Sequence, residues 1–319
     1  MFKINPMKTD DIPQALTIWH NQFDRYCKNN SFPDFWAGGK ETMEQYLLHQ
    51  IDSGNAIVAR NNADIVGYMA WMHFDFHSER TAFLPIVGNA AVAENENDIF
   101  HSLYLSASEK WVRDNRFNHL WMTFFDDISL KDMLYDIGFG SYVIDACQRT
   151  YPNKLASTSA YKITEVTEAD ADAVLVLAND SEKNLFQPPI FLTRDIWAKE
   201  DIVRLINDQQ IYAAWDNDLM IGVISFDINQ KHHFEHLTCT DSAYIGGIGA
   251  YIRPEYRAKG IGKQLLQQVF DYCCKVGKLF LHVSFESANP DAIRFWPKHF
   301  KPSIRSVRRT VNKDANIVQ

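Results

Sequence analysis

The 319-residue sequence predicts a mixed α/β (α+β) protein made of two tandem copies of one unit, each a mostly antiparallel central sheet flanked by helices. Three internal similarities in the same order carry this reading. Residues 4–16 (INPMKTDDIPQAL) lie beside residues 163–175 (ITEVTEADADAVL) at a shift of 159, with Ile4 on Ile163, Asp11 on Asp170 and Leu16 on Leu175. Residues 56–67 (AIVARNNADIVG) lie beside residues 211–222 (IYAAWDNDLMIG) at a shift of 155, and Phe139 answers Phe300 at a shift of 161. The boundary is expected in the polar stretch 151–159 (YPNKLASTS), giving domains at 1–152 and 160–319.

Each unit begins with a short strand that runs into a helix started by acids, Asp10 or Asp11 in the first copy and Asp170 or Asp172 in the second, because a carboxylate there meets unpaired helical amides. These helices are expected to reach Tyr26 and about Asn179, with second helices over 41–51 and 195–206. Hairpins follow, turning at Asn61-Asn62 and Asp216-Asn217, since Asn and Asp tolerate tight turns. After further strands come a long helix (99–113; 262–276), an apolar strand, a short helix and a last strand.

Composition narrows the function. With 32 Lys+Arg against 40 Asp+Glu the net charge is −8, which disfavours sequence-independent binding to phosphate backbones, so no nucleic acid is expected. Apolar residues make up 46% of the chain, yet no run nears the ~18 needed to span a bilayer, and residues 1–6 lack a signal-peptide core. No membrane partner and a cytoplasmic location are therefore expected. Five cysteines without a C-x-x-C pair give neither a disulfide framework nor a structural zinc site.

The chemistry concentrates in residues 250–263 (AYIRPEYRAKGIGK) of the second copy, between an apolar strand and an amphipathic helix. Gly260 and Gly262 let backbone amides converge, the new helix adds the positive end of its dipole, and Arg257, Lys259 and Lys263 surround the turn with cations. That arrangement suits a diphosphate. A dinucleotide fingerprint would need glycine where Leu265 stands, and a P-loop would need Ser or Thr where Gln264 stands.

Arg257-x-x-Gly260-x-Gly262 after Ile252-Arg253-Pro254 resembles the acetyl-CoA signature of the GNAT N-acetyltransferase superfamily. Asn289 and the helix carrying Ala292, Phe295 and Trp296, after the strand 280–285 (FLHVSF), support the resemblance, which is strongest over 244–311. It implies acetyl transfer from acetyl-CoA, as cosubstrate and without a metal, to a primary amine. Tyr251, Ile252 and Arg253 would meet the thioester and pantetheine through their backbone. The amides of Ala258, Lys259, Gly260, Ile261, Gly262 and Lys263 would take the pyrophosphate, and Asn289 the pantetheine arm. Family members commonly protonate the leaving thiolate with a Tyr of the short helix. Here Phe295-Trp296 stands instead, so Tyr251 or Tyr256 serves or the thiolate leaves unaided. By strand alternation Glu286 and His282 share a face toward the opening, making Glu286 the candidate base beside the plainer reading of a solvated carboxylate.

A gap-free shift of 160 places Asn97, Phe100 and Ser102 of the first copy where Arg257, Gly260 and Gly262 stand, with Glu94, Glu96 and Asp98 around them. Carboxylates there would repel a diphosphate by about 3–4 kcal/mol per close pair. The first copy is thus expected to be a degenerate domain that does not bind acetyl-CoA. Elsewhere, His232, His233 and His236 with Glu235 (KHHFEH) lack the H-E-x-x-H spacing and are expected in a solvated loop, metal-free. Lys298, Lys301, Arg305, Arg308 and Arg309 are expected on a solvated edge strand. Leu185, Phe186, Ile190 and Phe191 around Pro188-Pro189 suggest an apolar or peptide-like acceptor, which helix packing explains equally well. A non-enzymatic acyl-CoA sensor of the same fold and an enzyme for longer acyl chains remain open. Neither the acceptor nor the oligomeric state is fixed, and a homodimer is allowed.

Overall fold

A computed structural model describes residues 2–27, 32–152 and 161–314. The first half runs β1 (Lys3–Pro6), α1 (Ile12–Cys27), α2 (Phe35–Asp52), β2 (Ala56–Asn61), β3 (Asp64–Ala70), β4 (Met72–Phe76), β5 (Glu79–Leu84), β6 (Asn89–Ala91), α3 (Glu96–Arg113), β7 (Asn118–Phe124), α4 (Ile128–Asp136) and β8 (Gly140–Arg149). The second runs β9 (Lys162–Glu165), α5 (Ala171–Leu185), α6 (Lys199–Asp208), β10 (Gln210–Asp216), β11 (Leu219–Asp227), β12 (Ser242–Ile252), α7 (Ile261–Lys275), β13 (Phe280–Glu286), α8 (Pro290–Phe295) and β14 (Lys301–Thr310).

The repeat is visible in local devices as well as in element order. At the first helix of each half a carboxylate reaches back to the amide three residues before it: Lys8 N donates to Asp11 and Thr167 N to Asp170, both at 2.9 Å. Each hairpin turns on a left-handed asparagine, Asn62 (φ 56°) and Asn217 (φ 53°). Each also slips register at the same place, between Ala59 and Arg60 and between Ala214 and Trp215. These pairs keep the shifts of 159 and 155. Helix bounds differ from the expected ones where a cap lies upstream of the apolar run: α2 starts at Phe35 because Asp34 accepts from Ala37 N.

The chain divides into two compact units that do not follow the expected boundary. One holds Met1–Asp145, His232–Cys239 and Pro302–Gln319, and the other Ala146–Lys231 and Thr240–Lys301. Most of the expected boundary, 153–159, lies outside the described residues. In the first unit β1-β2-β3-β6 form one sheet, while β4-β5-β7-β14 lie in that order with the start of β8. β14 runs antiparallel to β7, from Ile304 opposite Phe124 to Thr310 opposite Asn118. In the second unit the end of β8 lies beside β13, followed by β12-β11-β10-β9, and Thr150 N donates to Leu279 O at 2.9 Å. The contiguous domains 1–152 and 160–319 therefore need correcting at their last strands. A strand's alternation says which face it buries and nothing about which backbone it pairs with.

Two further expectations change with this pairing. β14 is a paired strand rather than a solvated edge: Ile304 and Val307 are buried, Arg308 Nε donates to Asn118 at 2.6 Å, and Arg309 bonds Tyr104 OH at 3.2 Å. The 232–239 loop is docked rather than solvated, with Leu237 fully buried and Phe234 5.2 Å from the Tyr46 ring. Among the described residues no helix is long and apolar enough to cross a membrane.

Candidate functional site

The turn after β12 enters α7 through a glycine cap. Ala258 (φ 61°) and Gly260 (φ 82°) both adopt the left-handed conformation on either side of Lys259, which turns successive amides toward one point. Gly260 is the N-cap of α7, and the first helical bond runs from Gln264 N to Gly260 O (3.1 Å). The amides of Ile261, Gly262 and Lys263 precede that bond and point out of the helix N-terminus. Gly262 is closely packed: a Cβ there would stand 3.2 Å from Ile252 Cδ1 and 3.3 Å from the Phe295 ring. Lys259 Nζ sits 4.7 Å from the centre of the Tyr256 ring.

Arg257 is engaged with its neighbours within the second unit. Its guanidinium bonds Asp291 at 2.6 Å and Ile252 O at 3.1 Å, with Asn184 at 3.4 Å, so it ties the turn to α8 and α5. Arg253 is likewise engaged: its N donates to Ile221 O, its carbonyl accepts from Tyr256 N, and its side chain reaches Met220 O and Asp180.

Beside the turn the sheet opens. β12 and β13 pair in parallel over Ser242–Ile245 and Phe280–Val283 only, although they continue to Ile252 and Glu286. The cause is a wide bulge, because the β12 partner jumps from Ala250 at Ile224 to Ile245 at Phe226. Residues 246–249 thus face Ser225 alone, with Gly247 (φ 68°) and Gly249 (φ 72°) in a backbone form that side chains resist. Ser225 Oγ fills the bulge, donating to Gly246 O (2.5 Å) and accepting from Gly249 N (3.1 Å). Ala250, Tyr251 and Ile252 pair with β11 on one edge and face the opening with the other.

Around the opening, Tyr251 is buried against α5, and burial raises its phenol above the usual range, so it stays protonated. Tyr256 OH donates to Asp216 (2.9 Å). Glu286 is ion-paired with Arg194. His282 does not share its surroundings: it is buried, 3.0 Å from Ser242 Oγ and 3.6 Å from Cys147 Sγ, as a satisfied core histidine. Asn289 spends its carboxamide oxygen on the amides of Asp291 and Ala292 as the cap of α8.

Three residues here escaped the sequence reading. Glu182 is 5% exposed, accepts from Trp197 Nε1 at 3.1 Å, and has its carboxyl raised by burial, against the lowering effects of that bond and of Arg194. The one available signal was its spacing: Val174, Ala178 and Glu182 recur every four residues on the buried stripe of α5. Arg194 and Trp197 lie in an irregular segment and carried no pattern. The same segment leaves Phe191 and Ile196 exposed.

In the first unit the corresponding turn is shorter. Four residues separate β6 from α3, against eight between β12 and α7. Matching the caps Asn95 and Gly260 therefore gives a shift of 165, which replaces the gap-free 160 and sets Asn97, rather than Ser102, against Gly262. Phe100 is a buried core residue. Backbone groups along β6 and the turn before it are taken by buried side chains: Ala91 N by Gln22 (3.1 Å), Ile86 O by Trp19 (2.9 Å) and Val87 O by Tyr68 (2.7 Å). Asn89 bridges to Met122 O (3.2 Å). A cavity of about 510 Å³ remains beside α1, and its one lining cation, Arg25, is paired with Glu96 at 2.9 Å.

Residues 176–300 match the family described as acetyltransferase (GNAT). No curated protein matches by sequence. Among solved structures, a GCN5-related N-acetyltransferase from Sphaerobacter thermophilus superposes with a TM-score of 0.62 at 14% identity, over 97% of this chain and 95% of that one. A tandem GNAT protein from the clavulanic acid biosynthesis pathway gives 0.51 at 12%, over 97% and 98%. A glucosamine N-acetyltransferase region of a fungal multi-domain protein gives 0.56 at 11%, over 97% of this chain and 38% of that one. Residues 176–300 thus resemble the acetyltransferase (GNAT) family, and the chain as a whole shares the fold of these solved structures.

Proposed function

We propose that the second copy, expected at 160–319, is an N-acetyltransferase that moves an acetyl group from acetyl-CoA to a primary amine, while the first copy binds no coenzyme. The observation that carries this is the left-handed pair Ala258 and Gly260 at the start of α7, beside a sheet that parts after Ile245. An amide nest with Lys259 and Lys263 fits a diphosphate, and the open edge of residues 250–252 fits the amide-rich pantetheine arm and the thioester carbonyl.

In the reaction the amine nitrogen bonds to the thioester carbon, the carbon–sulfur bond breaks, and the amine loses one proton as the thiolate gains one. Glu286, paired with Arg194, takes the amine proton directly or through water. Tyr251 is the donor to sulfur that remains, since Tyr256 is committed to Asp216 and Phe295 has no acidic proton. Exposed Phe191 and Ile196 favour an acceptor with an apolar or peptide-like portion.

A second reading, an acyl-CoA sensor without turnover, is favoured by Phe295-Trp296 in the short helix and by the pairing of Glu286. Calorimetry with acetyl-CoA, followed by a panel of amines assayed for CoA release, separates the readings. One site per chain with turnover supports catalysis, and one site without turnover supports sensing. No binding, or two equivalent sites, would overturn the assignment.

A further inference from the structure

The geometry points to a divalent-metal site of the zinc type in the first unit, formed by His233, Glu235 and His236, with Asp145 as the positioning residue behind His236. One ligand atom from each of the three lies within 4.8 Å of the others. Two imidazoles and a carboxylate make up a donor set that zinc accepts in three-ligand sites with an open fourth position. The site depends on nothing proposed for the coenzyme turn.

Three features distinguish this cluster from a chance gathering of polar side chains. The first is the outer partner. His236 Nδ1 lies 2.9 Å from the carboxylate of Asp145, which is 4% exposed. That contact orients the ring, as the carboxylate–histidine arrangement does for metal-binding imidazoles. The second is the anchoring of the loop. Leu237 is fully buried, Phe234 packs on Tyr46, and the His232 ring fills the space over Gly38, where a Cβ would come within 2.1 Å of it. His233 and Thr238 close the turn, with Thr238 N donating to His233 O (3.2 Å) and His233 N to Thr238 Oγ1 (3.3 Å). Most of the entropy of ordering the ligands is thus already spent in folding.

The third feature is the disposition of the rings. His233 and His236 stack nearly parallel, with centroids 5.4 Å apart and planes 16° apart, and Glu235 lies at their side. Tetrahedral zinc at about 2.0–2.1 Å from nitrogen sets its ligand atoms roughly 3.4 Å apart. The outermost pair therefore closes by up to about 1.4 Å, within reach of rotations of the exposed His233 and the half-buried Glu235. The i, i+2, i+3 spacing on a turn matches no helical zinc motif, which is why a search for H-E-x-x-H passes over it.

The test uses the full chain freed of metal by a chelator and titrated with Zn²⁺ against a chromophoric competitor. One ion per chain is expected, with affinity about 100-fold weaker in His233→Ala and about 10- to 100-fold weaker in Asp145→Asn, the usual loss on removing an outer-shell partner. Thermal unfolding should shift upward with zinc in the wild type and stay unmoved in His233→Ala, whose exposed ring is not needed for folding. His49→Ala serves as control and should bind as the wild type does. Absence of stoichiometric binding, or binding that His233→Ala and Glu235→Gln leave intact, would overturn the site.

Discussion

The cradle at the start of α7 can be tested by two substitutions of opposite sign within three residues. Gly260 holds φ 82° and ψ −2° as the cap of the helix. A side chain in that region costs about 1–2 kcal/mol, because Cβ crowds the following carbonyl. Gly260→Ala should therefore lower the thermal midpoint by about 2–8 °C. If the chain escapes the strain by turning the amides of Ile261, Gly262 and Lys263 away, coenzyme affinity falls roughly 5- to 30-fold. Ala258 already carries that strain at φ 61°. Ala258→Gly should relieve it, less the roughly 0.4–1 kcal/mol that a glycine returns to the unfolded chain, and so raise or hold stability with affinity unchanged. Calorimetric titration with CoA and a thermal melt on each variant decide the matter. If Gly260→Ala bound CoA within twofold of the wild type, the amide nest would not be the grip. If Ala258→Gly destabilised the protein, the conformational argument itself would be wrong.

Removal of the α8 cap by Asn289→Ala should cost about 0.5–2 kcal/mol, seen as a lower melting midpoint that Asn289→Asp restores; a melt identical to wild type would remove the capping role. Glu286→Gln should slow turnover roughly 10²- to 10⁴-fold, and unaltered turnover would leave the base to another group. Glu96, with its side chain 12% exposed, has its carboxyl pushed up to about 7 by burial first and then by Asp127. Its folded value lies above its unfolded one, so the protonated form favours the fold and stability declines as pH rises from about 4.5 to 7, by about 3 kcal/mol. Glu96→Gln should flatten the fall in melting midpoint across that range, and an unchanged slope would show that Glu96 does not carry it.

Local sequence reaches far in this protein because many of its decisions are short-ranged. Asp11 and Asp170 cap from three residues away, Asn62 and Asn217 turn hairpins by their own backbone freedom, and Gly260 opens α7 through its own φ. Each depends on residues within one turn, so the duplication and the cradle can be read from letters alone. The bulge in β12 was less legible. Its glycines at 246, 247 and 249 were in plain view, but only pairing with β11 shows that they oppose a single serine and part the sheet.

What lay beyond local reading was partner choice. Arg257 looks like a phosphate ligand by spacing, and its engagement with Asp291 and Asn184 arises from helices 34 and 73 residues away. The gap-free shift of 160 failed because loop length between β6 and α3 is set by packing, and a similarity score across a shortened loop carries no warning of it. The sequence by itself determined the doubled element order, the caps and the glycine-capped turn before α7, since these follow from backbone preferences of adjacent residues. Only the tertiary structure decided that β14 pairs with β7, that the 232–239 loop belongs to the first unit, and which carboxylates are buried. Strand pairing and burial depend on surfaces brought together from distant parts of the chain, and the free energy that selects among them is a property of the whole packed core.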